Sequence, residues 1–305
     1  YALKDFKRRF GNHYDLIPEK MTIHINDTHP GLAIPEFMRL LIDEEGLGWE
    51  EASQIVRNTF AYTNHTVLSE ALERWPESMM KNLVPRIYMI LQEINRRVCA
   101  RLANFYRNGA DPRIAGMAVT AYDMVHMANL CVSMCYSVNG VSKLHTEILE
   151  KDTFRDYYGV MPEKFHSITN GITHRRWLIA CDGGLRDLIN EAIGDKWYRE
   201  PELLEELLPF RDDKAFREKF AAVKRRNKEI FSNVLNLRQK MTIDPDFLFD
   251  AQVKRLHEYK RQLLNALHIL VLYNRVMDDE NFTMTPRTFV FGAKASPAYH
   301  MAKQI

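Results

Sequence analysis

The stretch "MTIHINDTHPGLAIPEFMRLL", residues 21–41, decides the fold class. Met21, Ile23 and Ile25 alternate with polar neighbours, the period of a half-buried strand. Asn26-Asp27-Thr28-His29-Pro30 then interrupts the alternation, and from Pro35 the apolar positions recur at helical spacing. Strand, polar loop and helix in that order form one unit of an open α/β sheet. Such sheets keep their ligands in the loops at the carboxyl ends of the strands, so Asp27 and His29 are the first candidates to face one.

The same plan returns further along. "DFLFDAQVKRLHEYKRQLLNALHILVLYNRV", residues 246–276, alternates Phe247, Phe249, Ala251 and Val253, passes through a basic loop and enters a helix through Leu263, Leu267 and Leu270. "RTFVFGAKASPAYHMAKQI", residues 287–305, repeats it. Two such units in succession predict a right-handed crossover and a parallel pair. Between the first unit and these, the pattern predicts a helix-rich region: "WEEASQIVRNTF", then "AYTNHTVLSEALERWP", then Ser78 to Tyr106. In the last of these Ile87, Ile90, Leu91, Ile94, Val98 and Leu102 form an apolar stripe, with a kink or break at Pro85. A second, largely apolar helix is expected from Met124 to Leu149, and an acidic helix-rich stretch over 185–237. The β-branched "KFHSITNGITHRRWLIA", with its Asn-Gly turn signal, places a domain boundary near residues 170–180. No internal repeat or low-complexity segment is present.

At 305 residues, 46% hydrophobic and 27% charged, the chain has enough apolar material for two packed domains. A net charge of +2 gives no ground for a nucleic-acid or membrane surface, and leaves an anionic small substrate open. The four cysteines form no C-x-x-C pair and read as free thiols of a reducing cytoplasm. No apolar run approaches the ~20 residues of a membrane span, and nothing resembles a secretory signal. The chain opens on Tyr1 rather than Met and stops inside "YHMAKQI", so it is expected to be a piece of something longer.

The most specific chemistry lies in "QVKRLHEYKRQ". Lys254, Arg255, Lys260 and Arg261 gather between a strand end and a helix start, where free backbone N–H groups already favour an anion. Arginine offers phosphate a planar two-pronged donor and lysine a point charge. A solvated basic helix face is the competing reading. Asp27, His29, His65 and Asn170 are hydrogen-bonding groups set in turns, suited to sugar hydroxyls and equally to capping their own loops. Glu70 and Glu73 could act as an acid/base pair, but with Ser69 they read better as a helix N-terminal cap. No metal-ligand spacing, P-loop, G-x-S-x-G or G-x-G-x-x-G occurs. The single glycine and lysine of "FGAKASP" give only a weak phosphate-loop signal.

Four segments, "INDTHPGLAIPE", "AYTNHTVLSEALERWP", "ITNGITHRRWL" and "DAQVKRLHEYKRQLLN", in this order and at these separations, resemble the α-glucan (glycogen, starch, maltodextrin) phosphorylases, and "FGAKASPAYHMAK" resembles the segment that follows in them. The resemblance covers essentially the whole chain and places it in the middle third of such an enzyme. It implies an α/β, two-lobed glycosyltransferase-type (Rossmann-like) fold with a cleft between the lobes. Residues 1–172 would be the carboxyl-terminal part of the first, glucan-binding lobe, and 173–305 the beginning of the second, pyridoxal phosphate lobe. It also implies phosphorolysis of α-1,4-glucan by inorganic phosphate to glucose 1-phosphate with retention, in a cytoplasmic homodimer with no nucleic-acid or membrane partner. Pyridoxal phosphate would relay a proton through its phosphate group. By the resemblance, Lys254, Arg255 and Lys260 line the two phosphates, with Arg255 on the substrate side and Lys254 on the cofactor side. Tyr259, His65 and Asn170 hold the glucosyl unit, Asp27 and His29 shape the adjacent cleft wall, and Trp177 lies near the cofactor. The family's cofactor-lysine segment, Gly-Thr-Gly-Asn-Met-Lys, is not in these 305 residues, and neither Lys294 nor Lys303 stands in that context. The expectation is therefore an active parent protein and an inactive isolated piece. The alternatives are a glucan-binding remnant or paralogue without turnover, and a sugar-nucleotide glucosyltransferase of similar fold.

Overall fold

The computed structural model describes residues 1–68 and 72–305, and the chain divides into two compact units, Tyr1–Gly171 and Ile172–Ile305. The fold is mixed α/β with a parallel sheet. Along the chain the first unit contains strands β1 (Ile23–Asn26), β2 (Phe60–Thr63), β3 (Arg74–Pro76), β4 (Thr120–Ala121), β5 (Met124–His126), β6 (Ser137–Gly140) and β7 (Phe165–Ser167). Four of them make an all-parallel sheet in the order β1-β2-β6-β7, and the other three a small antiparallel sheet in the order β3-β5-β4.

One face of the sheet is closed and the other carries exposed His24, Asn26 and His166. On the closed face Ile25, Tyr62 and Val138, partners in register, are fully buried or nearly so, with helix Met127–Met134 packed against β2 and Phe37 of helix Ala33–Arg39 against Phe60. The stripe Ile87, Ile90, Leu91, Ile94, Val98, Leu102 is the buried face of helix Pro85–Tyr106. Pro85 breaks the helical run rather than kinking it. Helix Glu77–Leu83 ends before it, and the proline takes the first helical position, where its missing N–H costs nothing.

The structure corrects the sequence expectations at four places. β1 starts at Ile23 rather than Met21, and its following helix at Ala33 rather than Pro35. The described residues of "AYTNHTVLSEALERWP" are not helical: they supply most of β2 and all of β3. Helix Trp49–Thr59 runs straight into Phe60 with no glycine or proline between, so the sequence carries little punctuation there. The expected helix from Met124 to Leu149 is a strand, a helix of eight residues (Met127–Met134), the strand β6 and a further helix Lys143–Ile148. β6 is only four residues, Ser137–Gly140, and two residues separate it from the buried helix Met127–Met134, so its polar–apolar alternation is too short to stand out from that helix in the sequence. The helix cap read at Ser69 and Glu70 lies outside the described residues. Glu73 precedes β3 in irregular chain, and its Oε2 is buried without a hydrogen-bond partner among the described residues.

The second unit has helices Gly183–Ile193, Lys214–Gln239 and Gln262–Asp278 and a parallel pair, β8 (Leu248–Val253) and β9 (Arg287–Gly292), in register from Leu248↔Arg287 to Val253↔Gly292. Its buried apolar residues are few: Leu188, Ile189, Trp197 and Ala302. All four cysteines are free, and burial pushes the Cys135 thiol up to about 12. No helix of the described residues is long and apolar enough to cross a membrane.

Candidate functional site

Because β1, β2, β6 and β7 are parallel, their carboxyl ends share one edge of the first unit's sheet. Asp27 and His29 leave that edge after β1, His65 after β2 and Asn170 after β7. Asp27 takes a left-handed conformation, φ 62°, which aspartate tolerates better than most residues. Its backbone N–H donates to Thr63 O at 2.9 Å, and its Oδ1 accepts the Thr28 N–H at 2.8 Å. The carboxylate thus closes its own turn, the capping role that its sequence context allows.

His65 Nε2 lies 2.5 Å from Asn26 Oδ1, tying the β2 loop to the end of β1. The Thr63 hydroxyl gives its one proton to Asn139 Oδ1 at 2.6 Å, so the His24 Nε2 beside it, at 2.5 Å, is the donor. Asn26, Thr63, Asn64, Asn139 and His145 are not singled out by the sequence. Their signal is position at strand ends, which can be read only once β2 and β6 are known to be strands. His29, His65 and Asn170 are exposed, so this edge presents hydrogen-bonding side chains to solvent.

The second unit carries the charge. The carboxyl ends of β8 and β9 are joined by Lys254 N–H to Gly292 O and Leu256 N–H to Lys294 O, both 3.0 Å. Between them lies a hollow of about 350 Å³ lined by Val253, Lys254, Arg255, Gly292, Ala293 and Lys294. Gly292 permits the close approach, since a Cβ there would stand 3.2 Å from Val253 Cγ1. Three cations and no carboxylate line the hollow, a field that favours an anion. Lys294 enters because β9 pairs in parallel with β8, a contact invisible to a reading of each segment alone.

Lys260 and Tyr259 stand on the following turn, Glu258–Lys260, and do not line the hollow; the Lys260 ammonium lies 5.7 Å from the Tyr259 ring centre. Buried Gln262 holds the loop between, its Nε2 donating to Arg255 O at 3.0 Å, and Gln252 Nε2 donates to Lys260 O at 2.9 Å. Trp177 is 65% exposed in the same unit. Among the described residues no group of His, Cys, Asp and Glu is placed to hold a metal ion.

Each unit thus carries a polar feature at parallel strand ends, a hydrogen-bonding edge in the first and a cation-lined hollow in the second. The family model for carbohydrate phosphorylases matches residues 1–305. The chain belongs to the carbohydrate phosphorylase family. It is 50% identical over 287 residues to the glycogen phosphorylase of Bacillus subtilis (strain 168), covering 94% of this chain and 36% of that protein. It is 47% identical to the muscle form of glycogen phosphorylase from Rattus norvegicus and 46% to that from Homo sapiens, covering 100% of this chain and 38% of each relative. The chain therefore spans well under half the length of the relatives it matches.

Proposed function

We propose that the protein carrying this chain transfers the terminal glucose of an α-1,4-glucan to inorganic phosphate, releasing glucose 1-phosphate. The observation that carries this reading is the hollow lined by Lys254, Arg255 and Lys294, in a chain that matches the phosphorylase family along its whole length. In the transfer the bond from glucosyl C1 to the glycosidic oxygen breaks and C1 bonds to a phosphate oxygen, while a proton reaches the departing glucan hydroxyl. Arg255 binds the substrate phosphate as a two-pronged donor. Lys254 neutralises a second phosphate beside it, and Lys260, one turn away, adds to the same positive field. Fixed cations of this kind need no reorganisation as charge develops, so preorganised electrostatics supplies most of the rate enhancement such a site gives.

His65, Asn170 and Tyr259 hold the glucosyl hydroxyls, and Asp27 and His29 form the neighbouring wall. The hollow's donor set, three cations with no carboxylate, fits the phosphate end of pyridoxal phosphate. When bound, that group supplies a phosphate able to exchange a proton with the substrate phosphate. Lys254 would hold it and Trp177 would lie near it. The working protein on this reading is a cytoplasmic homodimer, with no nucleic-acid or membrane partner.

The test is to incubate the protein carrying this chain with maltoheptaose and inorganic phosphate, before and after removal and return of pyridoxal phosphate, and to follow glucose 1-phosphate by ³¹P NMR. Product that requires both phosphate and the cofactor is the expected result. Glucan binding without product favours the non-catalytic reading. Glucosyl transfer from a sugar nucleotide with no cofactor requirement favours the third.

A further inference from the structure

His145 joins the two loops that carry His65 and Asn170. It sits in the first turn of helix Lys143–Ile148, which Ser142 caps by accepting the His145 N–H at 3.1 Å. The Val141 backbone N–H points at His145 Nδ1, 3.1 Å away. A backbone N–H can only donate, so Nδ1 is the acceptor and the neutral ring carries its proton on Nε2. That proton is aimed at Asn64 Oδ1, also 3.1 Å away.

Asn64 is fully buried and immediately precedes His65. Its Oδ1 also accepts the Thr66 N–H at 3.0 Å, its Nδ2 donates to Tyr62 Oη at 3.0 Å, and its N–H donates to Asn139 O at 3.0 Å. His65 thus projects from a turn whose inner side is hydrogen-bonded throughout. On the other side of the ring, Val141, whose N–H donates to Nδ1, accepts at its own carbonyl the N–H of Asn170 at 3.1 Å.

The close seating of this helix has its own requirement. A Cβ on Gly140 would stand 2.5 Å from Thr146 Oγ1 and 2.9 Å from Thr146 N, so only glycine lets the end of β6 approach the helix this closely. Burial lowers the proton affinity of His145, with the Thr66 backbone opposing the fall and His65 adding to it, which agrees with the neutral tautomer.

We propose that His145 is a positioning residue that fixes His65, through Asn64, and Asn170, through the Val141 backbone, in one mutual geometry for the glucosyl unit. The inference rests on the reading above, which assigns His65 and Asn170 to that unit. A displacement of about 1 Å in such groups costs up to ~100-fold in rate.

Three substitutions in the protein carrying this chain separate the two arms. His145→Asn keeps an acceptor near the Nδ1 position, His145→Gln keeps a donor near the Nε2 position, and His145→Phe removes both. With maltoheptaose and phosphate as substrates, His145→Phe should lower kcat/KM for the glucan by ~10- to 100-fold. Its KM for phosphate should stay within about twofold of the parent, and Asn and Gln should each recover part of the loss. Thermal unfolding of each variant establishes that folded protein is being assayed. A purely structural role predicts a lower melting temperature, with KM values and turnover per folded molecule unchanged, and that result would overturn the proposal. Should His145→Phe not fold, Asn and Gln decide alone: parental kcat/KM in both overturns it. His65→Ala and Asn170→Ala are the controls. If they reduce turnover and the His145 variants do not, the positioning role is wrong. If they leave turnover unchanged, the glucosyl assignment fails first and the inference with it.

Discussion

The two units treat apolar side chains in opposite ways. In Tyr1–Gly171, thirty-seven buried residues form one apolar cluster around the parallel sheet, and the helix Pro85–Tyr106 hides a full stripe. In Ile172–Ile305, helix Gln262–Asp278 leaves Leu263, Leu264, Leu267, Leu270, Val271, Tyr273, Val276 and Met277 exposed, and the sheet of the described residues has only β8 and β9. Two strands with a helix apolar on several sides are a layer without its cover. The difference teaches where each half of the candidate chemistry is anchored. The hydrogen-bonding edge rests on a finished core, and the cationic hollow rests on a local backbone arrangement around Lys254 and Gly292.

The sharpest way to break that comparison is a matched pair of truncations. Leu91 is fully buried, so Leu91→Ala should cost about 2–5 kcal/mol of unfolding free energy. Leu267 is 49% exposed, and in this 305-residue chain Leu267→Ala should change stability by less than about 0.5 kcal/mol. Urea unfolding measures both. Equal losses would mean that the second unit has a core of comparable quality and that the contrast is wrong. Amide exchange extends the test: β2 and β6 should be the last to exchange, and β8 and β9 should exchange early.

The hollow is broken by charge removal in the protein that carries this chain. Arg255→Ala should lower phosphorolysis on the order of 10²-fold, about 2.7 kcal/mol of transition-state stabilisation, with folding little changed. Lys294→Ala should have a smaller effect, ~10-fold, read mainly in KM for phosphate, because a point charge is lost without a two-pronged contact. Activity within twofold of the parent for Arg255→Ala would remove the phosphate clamp from the reading.

What can be read from the sequence follows the same divide. The unit from β8 to helix Gln262–Asp278 is legible because Phe247, Phe249, Ala251 and Val253 alternate and a basic loop punctuates the change of period. The stripe of Pro85–Tyr106 is legible for the same reason, and Pro85 marks its start. β2 and β6 are interior strands of four residues each, too short for their alternation to stand out beside the helices that precede them, so the residues at and just beyond their ends, Asn64, Asn139 and His145, go unseen. Lys294 gives a weak signal and does not show itself as a partner of Lys254, because strand pairing is a long-range contact. The family resemblance supplies residue types and order. The hydrogen bonds that fix the Asp27, His65 and Asn170 loops need the structure.

A pH-dependent effect concerns a charge held inside the well-packed unit. Lys164 is 7% exposed, and its ammonium donates to Val132 O at 3.0 Å and Ser133 O at 3.4 Å, two late carbonyls of helix Met127–Met134. Those carbonyls carry the negative end of the helix dipole, which offsets part of the cost of burying the charge. Burial still pushes its pKa down to about 8, with Arg57 and Arg101 adding to the fall and Cys135 and Glu163 opposing it. An unfolded lysine titrates near ~10.4. Between those two values the unfolded chain binds more protons than the native one, so unfolding free energy rises with pH across that window. Below about pH 8 both states are protonated and the native state carries the full burial penalty. Urea unfolding of the parent and of Lys164→Met, from about pH 7.5 upward, should therefore give curves that diverge, with the parent gaining stability that the variant does not. Thiols and tyrosines titrate in both proteins and cancel in the difference. Parallel curves would mean that the helix carbonyls compensate the ammonium completely, and that the packed unit tolerates a buried charge as readily as the open one bears its exposed cations.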